Sequence, residues 1–240
     1  MKKNYAGFLM LVACGAVAAA LCALLVASFS AHVKLVSGFS PEQGTVVVID
    51  AGHGDFDPGA VSKSGIEEKV INLSIALKLR DIFVANGYTV AMTRTEDQTL
   101  AFNGPSTSKN AKTSDTHNRA SFADSFADSV MISVHQNAFP DRSQHGTQIF
   151  HGVKNEQRSV QLAKAIMGHV KSKLQTENPR EIKKGTDRIY ILMHTQAPIV
   201  LVECGFMTNS AELERLLDEE YQKKIAYCIY LGYCDYLKCT

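Results

Sequence analysis

The sequence predicts an α/β protein built as a single three-layer domain, with a mostly parallel central sheet and helices on both faces. Three short apolar runs lack alternation of polar and apolar residues: Val46–Asp50, Ser129–Val134 and Pro198–Val202. Such runs are typical of strands buried on both faces of a sheet. Between the first two runs, the apolar residues of Glu67–Leu79 recur with helical spacing. This predicts the crossover helix of a strand-helix-strand unit.

The remaining segments complete this arrangement. A second strand is predicted at Tyr88–Met92, a strand more exposed than the others at Thr147–Phe150, a helix at Arg158–Leu174, a short strand at Ile189–Leu192, and a final helix at Ala211–Leu217 continued by Tyr221–Leu237. The polar stretch Glu96–Asp115 is predicted to be a long loop, because it holds Asn103-Gly104-Pro105 and a Ser/Thr/Lys/Asn cluster. Loops of that length are usually functional or disordered. This one is therefore either one wall of a substrate groove or a plain surface loop.

Composition predicts one sizeable domain and argues against nucleic acid as a partner. The chain has 240 residues, of which 45% are hydrophobic and 20% charged, and its formal net charge is +1. This provides the apolar material for one such domain over residues 45–240, joined by a linker of residues 30–44 to whatever precedes it. A near-neutral chain lacks the basic footprint of a nucleic-acid-binding protein.

An apolar segment precedes the linker. Lys2-Lys3 is followed by the uncharged run Ala6–Phe29, which is long enough to cross a bilayer core of about 30 Å as a helix. Residues 1–29 are therefore predicted to be either a transmembrane anchor or a signal segment cleaved near Ser28. The run exceeds the usual signal core of about 7–15 residues, which favours an anchor or slow cleavage. Either outcome exports the domain to the extracytoplasmic face of the membrane.

Chemically active side chains lie where the three buried strands stop. His53 follows the first run, His135 the second and Glu203 the third. Parallel strands bring their carboxyl ends to one edge of the sheet, close to the helix whose first turn holds Glu67 and Glu68. Two imidazoles and one carboxylate can hold a catalytic zinc ion with an open position for water, and a further carboxylate can act as general base. Alone, a histidine flanked by glycines is weak support, since a loop histidine bonded to backbone has the same pattern.

Four segments of the chain resemble the signature blocks of a known enzyme family. They read GHGDFDPGA, GIEEKVINLSIALKL, SVHQNAF and PIVLVECGFMTN. They are similar, in the same order, to the four blocks of the zinc-dependent N-acetylmuramoyl-L-alanine amidases of the Amidase_3 type. The resemblance runs from about Thr45 to the end of the chain. Four blocks in family order are a far more specific signal than one short motif.

The resemblance implies a role for each member of the predicted cluster. His53, Glu68 and His135 match the family's zinc ligands, and Glu203 matches its catalytic glutamate. The implied ligand is Glu68 because the family's glutamate directly precedes a lysine, here Lys69. Glu67 would then be a solvated charge of the first helical turn.

The implied reaction is hydrolysis of the amide bond between N-acetylmuramic acid and L-alanine in peptidoglycan, by a zinc-activated water with Glu203 as general base. A short, membrane-targeted chain with a bare catalytic domain most resembles the germination-specific amidases of spore-forming bacteria. Those enzymes prepare the spore cortex for muramic δ-lactam formation. The chain shows neither a wall-binding module nor a site-blocking helix, so control either by a protein activator or by the timing of expression is expected.

Two other kinds of function stay open at this point. A catalytically silent or partner-dependent cell-wall-binding protein would keep the fold without needing all four positions. A zinc peptidase cutting the peptide stem would use a very similar site, because the metal centre does not read the glycan. Only the products of the reaction separate these alternatives.

Overall fold

The computed structural model describes residues 44–101 and 111–239. The segment predicted as a membrane anchor or signal, together with all but the last residue of the predicted linker, lies outside the described residues. Within the described ranges, no helix is both long enough and apolar enough to cross a membrane.

Six strands form one sheet. Their bounds are β1 Val46–Ala51, β2 Thr89–Met92, β3 Ser129–Asn137, β4 Gln148–His151, β5 Lys183–Lys184 and β6 Ile199–Phe206. The strand order is β2-β1-β3-β6-β4-β5. The pairs β1/β2, β1/β3 and β3/β6 are parallel, whereas β4 runs antiparallel to β6. The prediction of a mostly parallel sheet is confirmed.

Helices cover both faces of this sheet. Their bounds are α1 Glu68–Ala85, α2 Ala111–Asp124, α3 Glu156–Lys173, α4 Tyr190–His194, α5 Ser210–Leu217 and α6 Glu219–Leu237. The larger core lies under α1, α3 and α6, where Ile75, Ile166 and Ile229 are fully buried. A smaller core under α2 and α4 contains Met131 and Leu201. The described residues therefore form three layers, as predicted.

The prediction of a short strand at Ile189–Leu192 is wrong, because three of these four residues lie in the one-turn helix α4. Ile191 and Leu192 are both buried against the smaller core. Consecutive side chains of a strand point to opposite faces, so a strand could not place both on this surface. A helical turn can, and it is closed by the hydrogen bond from Thr195 N to Ile191 O at 3.1 Å.

The predicted loop at Glu96–Asp115 is also corrected, because α2 already begins at Ala111. Its first turns are polar and carry little helical signal in the sequence. They are stabilised instead by Asp115, whose carboxylate pairs with Arg119 one turn later at 2.7 Å and accepts a hydrogen bond from Leu100 N at 2.7 Å. Tertiary contacts thus override weak local propensity here.

Candidate metal centre

His53 lies in the turn that follows β1, with an unusual backbone conformation. Its φ is +62°, in the left-handed region that non-glycine residues rarely adopt. Arg119 Nη2 donates to the carbonyl oxygen of His53 at 2.8 Å, and the Asp57 carboxylate lies 2.7 Å from its Nδ1. These contacts hold the backbone and one ring nitrogen, leaving Nε2 directed at Glu68 at 3.3 Å.

Glu68 lies in the first turn of α1 and connects the two histidines. Its Oε2 faces His53, and its Oε1 lies 3.0 Å from His135 Nδ1. The backbone N–H groups of Ala60 and Gln136 also donate to this carboxylate, at 2.8 and 3.0 Å. Burial would raise the pKa of Glu68, but hydrogen bonds from the two histidines outweigh it and hold the pKa far below its usual range.

Asn72 supports the same carboxylate from one turn further along α1. Sequence alone leaves it either orienting Glu68 or solvated. In the structure Asn72 is fully buried, and its Nδ2 donates to Glu68 Oε1 at 3.1 Å and to Gly52 O at 3.1 Å. Asn72 therefore orients the carboxylate, while Glu67 outside the cluster forms an ion pair with Lys69 at 3.4 Å.

Two glycines leave the space in which the cluster forms. A β-carbon at Gly52 would lie 2.2 Å from His135 Nε2, and one at Gly59 would lie 2.5 Å from Glu68 Oε2. Gly59 also has a φ of +68°, which favours glycine. Any side chain at either position would displace a member of the cluster.

Glu203 lies beside His135 in the register of the β3/β6 pair. The residue is partly accessible, yet its Oε2 is buried and has no hydrogen-bond partner among the described residues. Burial and the nearby Glu68 carboxylate raise the pKa of Glu203 to about 8, although His53 opposes this. Burial likewise raises the pKa of the neighbouring thiol of Cys204, which disfavours the reactive thiolate.

The cluster opens into a cavity of about 300 Å³ lined by His53, His135 and Glu203, with Lys112 and Arg188 on its walls. Two other cavities, of about 330 and 380 Å³, contain no member of the cluster in their linings. The cavity of about 300 Å³ is therefore the candidate site, because residues of the cluster line it.

Buried arginines lie beneath the cluster and fix the turn that carries His53. Arg94 donates to Ala51 O and Gly52 O at 2.8 and 3.0 Å. Arg119 is bonded to Asp50 and to the backbone of the same turn. The sequence alone does not show which groups these two arginines bind.

The residues of the cluster fit a divalent metal ion. Ligand atoms of His53, Glu68 and His135 all lie within 4.8 Å of one another. The 3.3 Å between His53 Nε2 and Glu68 Oε2 matches two atoms each about 2.1 Å from one tetrahedral ion. Two imidazoles with one carboxylate are donors that zinc accepts, and the cavity leaves room for a further ligand.

One residue that contacts the cluster was not predicted from the sequence. Asp57 was not singled out, although it is the carboxylate that bonds His53 Nδ1. Hydrogen bonds to Asp57 and Glu68 overcome the effect of burial and raise the pKa of His53 to about 9. The spacing of four residues in the tight turn HGDFD was the available signal.

A three-layer α/β domain with a His-Glu-His cluster and a buried glutamate at its sheet edge defines a candidate metallohydrolase. Comparison with known proteins gives the family. The N-acetylmuramoyl-L-alanine amidase family profile matches residues 47–234, and the chain belongs to this family. It is thus an enzyme that acts on peptidoglycan, as the resemblance implied.

Individual relatives agree with this assignment. The chain is 32% identical over 196 residues to the germination-specific N-acetylmuramoyl-L-alanine amidase of Bacillus subtilis, covering 82% of this chain and 81% of the relative. Among solved structures, it is similar to the CwlD amidase from Clostridioides difficile in complex with the GerS lipoprotein. That match has 37% identity and a TM-score of 0.76, and covers 81% of this chain and 99% of the other. An N-acetylmuramoyl-L-alanine amidase from Clostridium difficile 630 matches with 27% identity and a TM-score of 0.71, over 82% and 98% of the two chains.

Proposed function

We propose that this amidase hydrolyses the bond between the lactyl group of N-acetylmuramic acid and L-alanine, using zinc held by His53, Glu68 and His135. Glu203 is the general base. The observation that carries the proposal is that three ligand-type side chains meet beside the cavity that Glu203 lines, where one oxygen of Glu203 is buried and has no partner among the described residues.

Different residues of the chain orient the proposed ligands and transfer the proton. Asp57 and Asn72 orient two members of the cluster by hydrogen bonds, so that their remaining atoms face the centre. Glu203 accepts a proton from the attacking water and delivers it to the departing L-alanine amine. A zinc ion in the cluster would polarise the scissile carbonyl and lower the pKa of water.

The relatives support a proposal for the biological setting. The Bacillus subtilis relative is named as germination-specific, which supports a role in spore cortex maturation leading to muramic δ-lactam. Such a role places the domain outside the cytoplasm, on the membrane or in the cortex, anchored by residues 1–29 or released by their cleavage. The Clostridioides difficile structure contains a lipoprotein partner, which supports a protein activator for this chain as well.

Mass spectrometry of peptidoglycan fragments tests the reaction. Zinc-loaded full-length protein should release stem peptides that begin with L-alanine and leave intact muramic acid on the glycan. Glu203→Ala should slow release by about 10²–10⁴-fold through the loss of proton transfer. Cuts inside the stem would indicate a peptidase instead. Binding to the wall without release, with zinc bound and a cognate lipoprotein present, would indicate a silent binding protein.

Adjacent glutamates give a matched test of the ligand set. Glu68→Gln removes a proposed ligand and should abolish stoichiometric zinc binding, measured by metal analysis after dialysis. Glu67→Gln makes the same chemical change one residue earlier, outside the cluster, and should retain zinc. Equal zinc contents in the two variants would contradict the assignment.

A further inference from the structure

Arg188 lies on the wall of the candidate cavity and is not part of the proposed metal cluster. It precedes α4, its side chain is exposed, and it lines the same cavity of about 300 Å³ as His53, His135 and Glu203. None of the four family blocks contains it.

The backbone around Arg188 is held by its neighbours. Gly185 N donates to His151 O at 2.9 Å, and Ile189 N closes a turn onto Thr186 O at 2.8 Å. Two residues after Arg188, Tyr190 is stacked between two imidazoles, those of His117 and His194, with centroid distances of 4.0 Å on each side. The segment therefore presents Arg188 from a fixed base.

The other cations of the cavity wall already have carboxylate partners. Arg119 pairs with Asp50 at 2.5 Å and with Asp115 at 2.7 Å. Lys112 pairs with Asp57 at 3.0 Å.

Arg188 differs from both of these cations. It has no ion pair or hydrogen bond within the part of the chain that the structure describes. A guanidinium in this state is available to an anion that enters the cavity.

The substrate supplies such an anion, if the proposed function holds. In the stem peptide the residue after L-alanine is D-glutamate linked through its side chain, so its α-carboxylate is free, or D-isoglutamine, in which that group is a neutral amide. Arginine binds carboxylates through two parallel N–H donors, which an amide cannot match as an acceptor. We propose that Arg188 binds the free α-carboxylate of this second stem residue and makes the enzyme prefer acidic stems to amidated ones. The inference rests on the amidase function and adds the substrate class.

Two muropeptides that differ only at this group test the proposal. Wild-type protein, as the full zinc-loaded chain in detergent, should have a higher kcat/KM on the carboxylate substrate. Arg188→Ala should lower kcat/KM on that substrate about tenfold, mainly through KM, because the contact is remote from the reacting atoms. On the amidated substrate the loss should be about twofold or less. Arg188→Lys should keep part of the preference, since it retains the charge without the fork.

A matched control separates the contact from general charge. Lys183→Ala removes an exposed cation of β5 that does not line the cavity, and it should leave both substrates unchanged. Equal losses on the two substrates in Arg188→Ala, or the same loss of preference in Lys183→Ala, would overturn the proposal.

A binding measurement tests Arg188 without turnover. In the Glu203→Gln background, calorimetry should show about tenfold weaker binding of the carboxylate muropeptide when Arg188→Ala is added. Unchanged binding would overturn the role of Arg188. Absence of turnover by wild-type protein, together with this selective loss of binding, would instead reject the proposed amidase reaction.

Discussion

At the scale of single residues, the cluster depends on side chains one contact away from it. Asp57 bonds His53 Nδ1 at 2.7 Å and is itself fixed by Lys112 at 3.0 Å. A carboxylate on the far nitrogen of a metal-binding histidine orients the ring and raises its basicity. Asp57 is therefore a positioning residue for the proposed zinc site.

Asp57→Asn should weaken zinc binding by roughly 10–100-fold, as expected when such an outer partner is lost. The measurement is a competition titration against a chelator of known affinity. Asp55→Asn removes the same charge from an exposed neighbour, and asparagine tolerates the φ of +51° at that position. It should bind zinc as wild type does. Wild-type affinity in Asp57→Asn would refute the positioning role.

Ionised Glu203 lowers the free energy of unfolding of the metal-free protein. Its folded-state pKa is raised from 4.5 to about 8, so folding favours its protonated form. The free energy of unfolding is unaffected by this group at pH values below about 4.5 and decreases as the pH rises from there through about 8. The buried carboxylate is thus tolerated for its chemistry, a common trade between stability and activity.

Glu203→Gln should therefore stabilise the metal-free protein, and by more at alkaline pH than at acidic pH. We expect the gain over wild type to grow by roughly 1–3 kcal/mol across this window, the usual cost of a buried polar group without a partner. Urea unfolding of both proteins on either side of the window measures it. A stability difference that does not change with pH would contradict the prediction.

At the scale of elements, two mid-helix glycines have opposite surroundings. A β-carbon at Gly232 of α6 would lie 2.4 Å from Ile166 Cα of α3, so this glycine sets the close approach of the two helices. Gly168 of α3 is exposed, and a β-carbon there would meet no atom within 4 Å. The same residue type is therefore required at one position and dispensable at the other.

The two alanine substitutions should change stability with opposite signs. Gly232→Ala forces the helix backbones apart and should destabilise the protein by about 1–3 kcal/mol. Gly168→Ala should stabilise it by about 0.5–1 kcal/mol, because alanine loses less conformational entropy in a helix. Thermal unfolding distinguishes them, at about 2–4 °C per kcal/mol for a domain of this size. Destabilisation by both would show that Gly168 has a packing role.

At the scale of the whole molecule, a buried ionic network joins the sheet to the layer of α2 beneath the site. Asp50 of β1 is fully buried and accepts hydrogen bonds from Arg119 of α2, Thr93 and Ser133. Burial would raise the pKa of Asp50, but Arg119 and these bonds lower it to about 2. The resulting stability is present above the unfolded-state pKa of about 3.8 and is lost as the pH falls through about 2.

Asp50→Asn should destabilise the protein by about 1–3 kcal/mol, because it removes one of the two carboxylates that compensate the buried guanidinium of Arg119 and leaves only Asp115. Urea unfolding at neutral pH measures the loss, and the gap to wild type should narrow as the pH approaches about 2. Asp81→Asn breaks an exposed pair with Arg80 and should change stability by less than about 1 kcal/mol. Similar values for the two variants would contradict a structural role for the network.

Local sequence patterns were sufficient to predict the layers of the fold and the residues of the proposed cluster. Buried strands need continuous apolar runs, so β1, β3 and β6 were readable directly, and the four family blocks marked His53 and its partners. Short elements were not readable in this way. The turn of α4 depends on burying Ile191 and Leu192 together, and the start of α2 depends on contacts of Asp115 with distant residues.

By itself the sequence determined the α/β class and the amidase family and predicted roles for His53, Glu68, His135 and Glu203, because apolar periodicity and short chemical motifs are local properties of the chain. Only the tertiary structure decided which groups surround that cluster. Asp57 pairs with His53 and Asp50 pairs with Arg119, whereas Arg188 on the cavity wall has no ion pair among the described residues. The pairing of Asp50 with Arg119 has no signature in the order of residues, because it forms only when packing brings distant segments into contact.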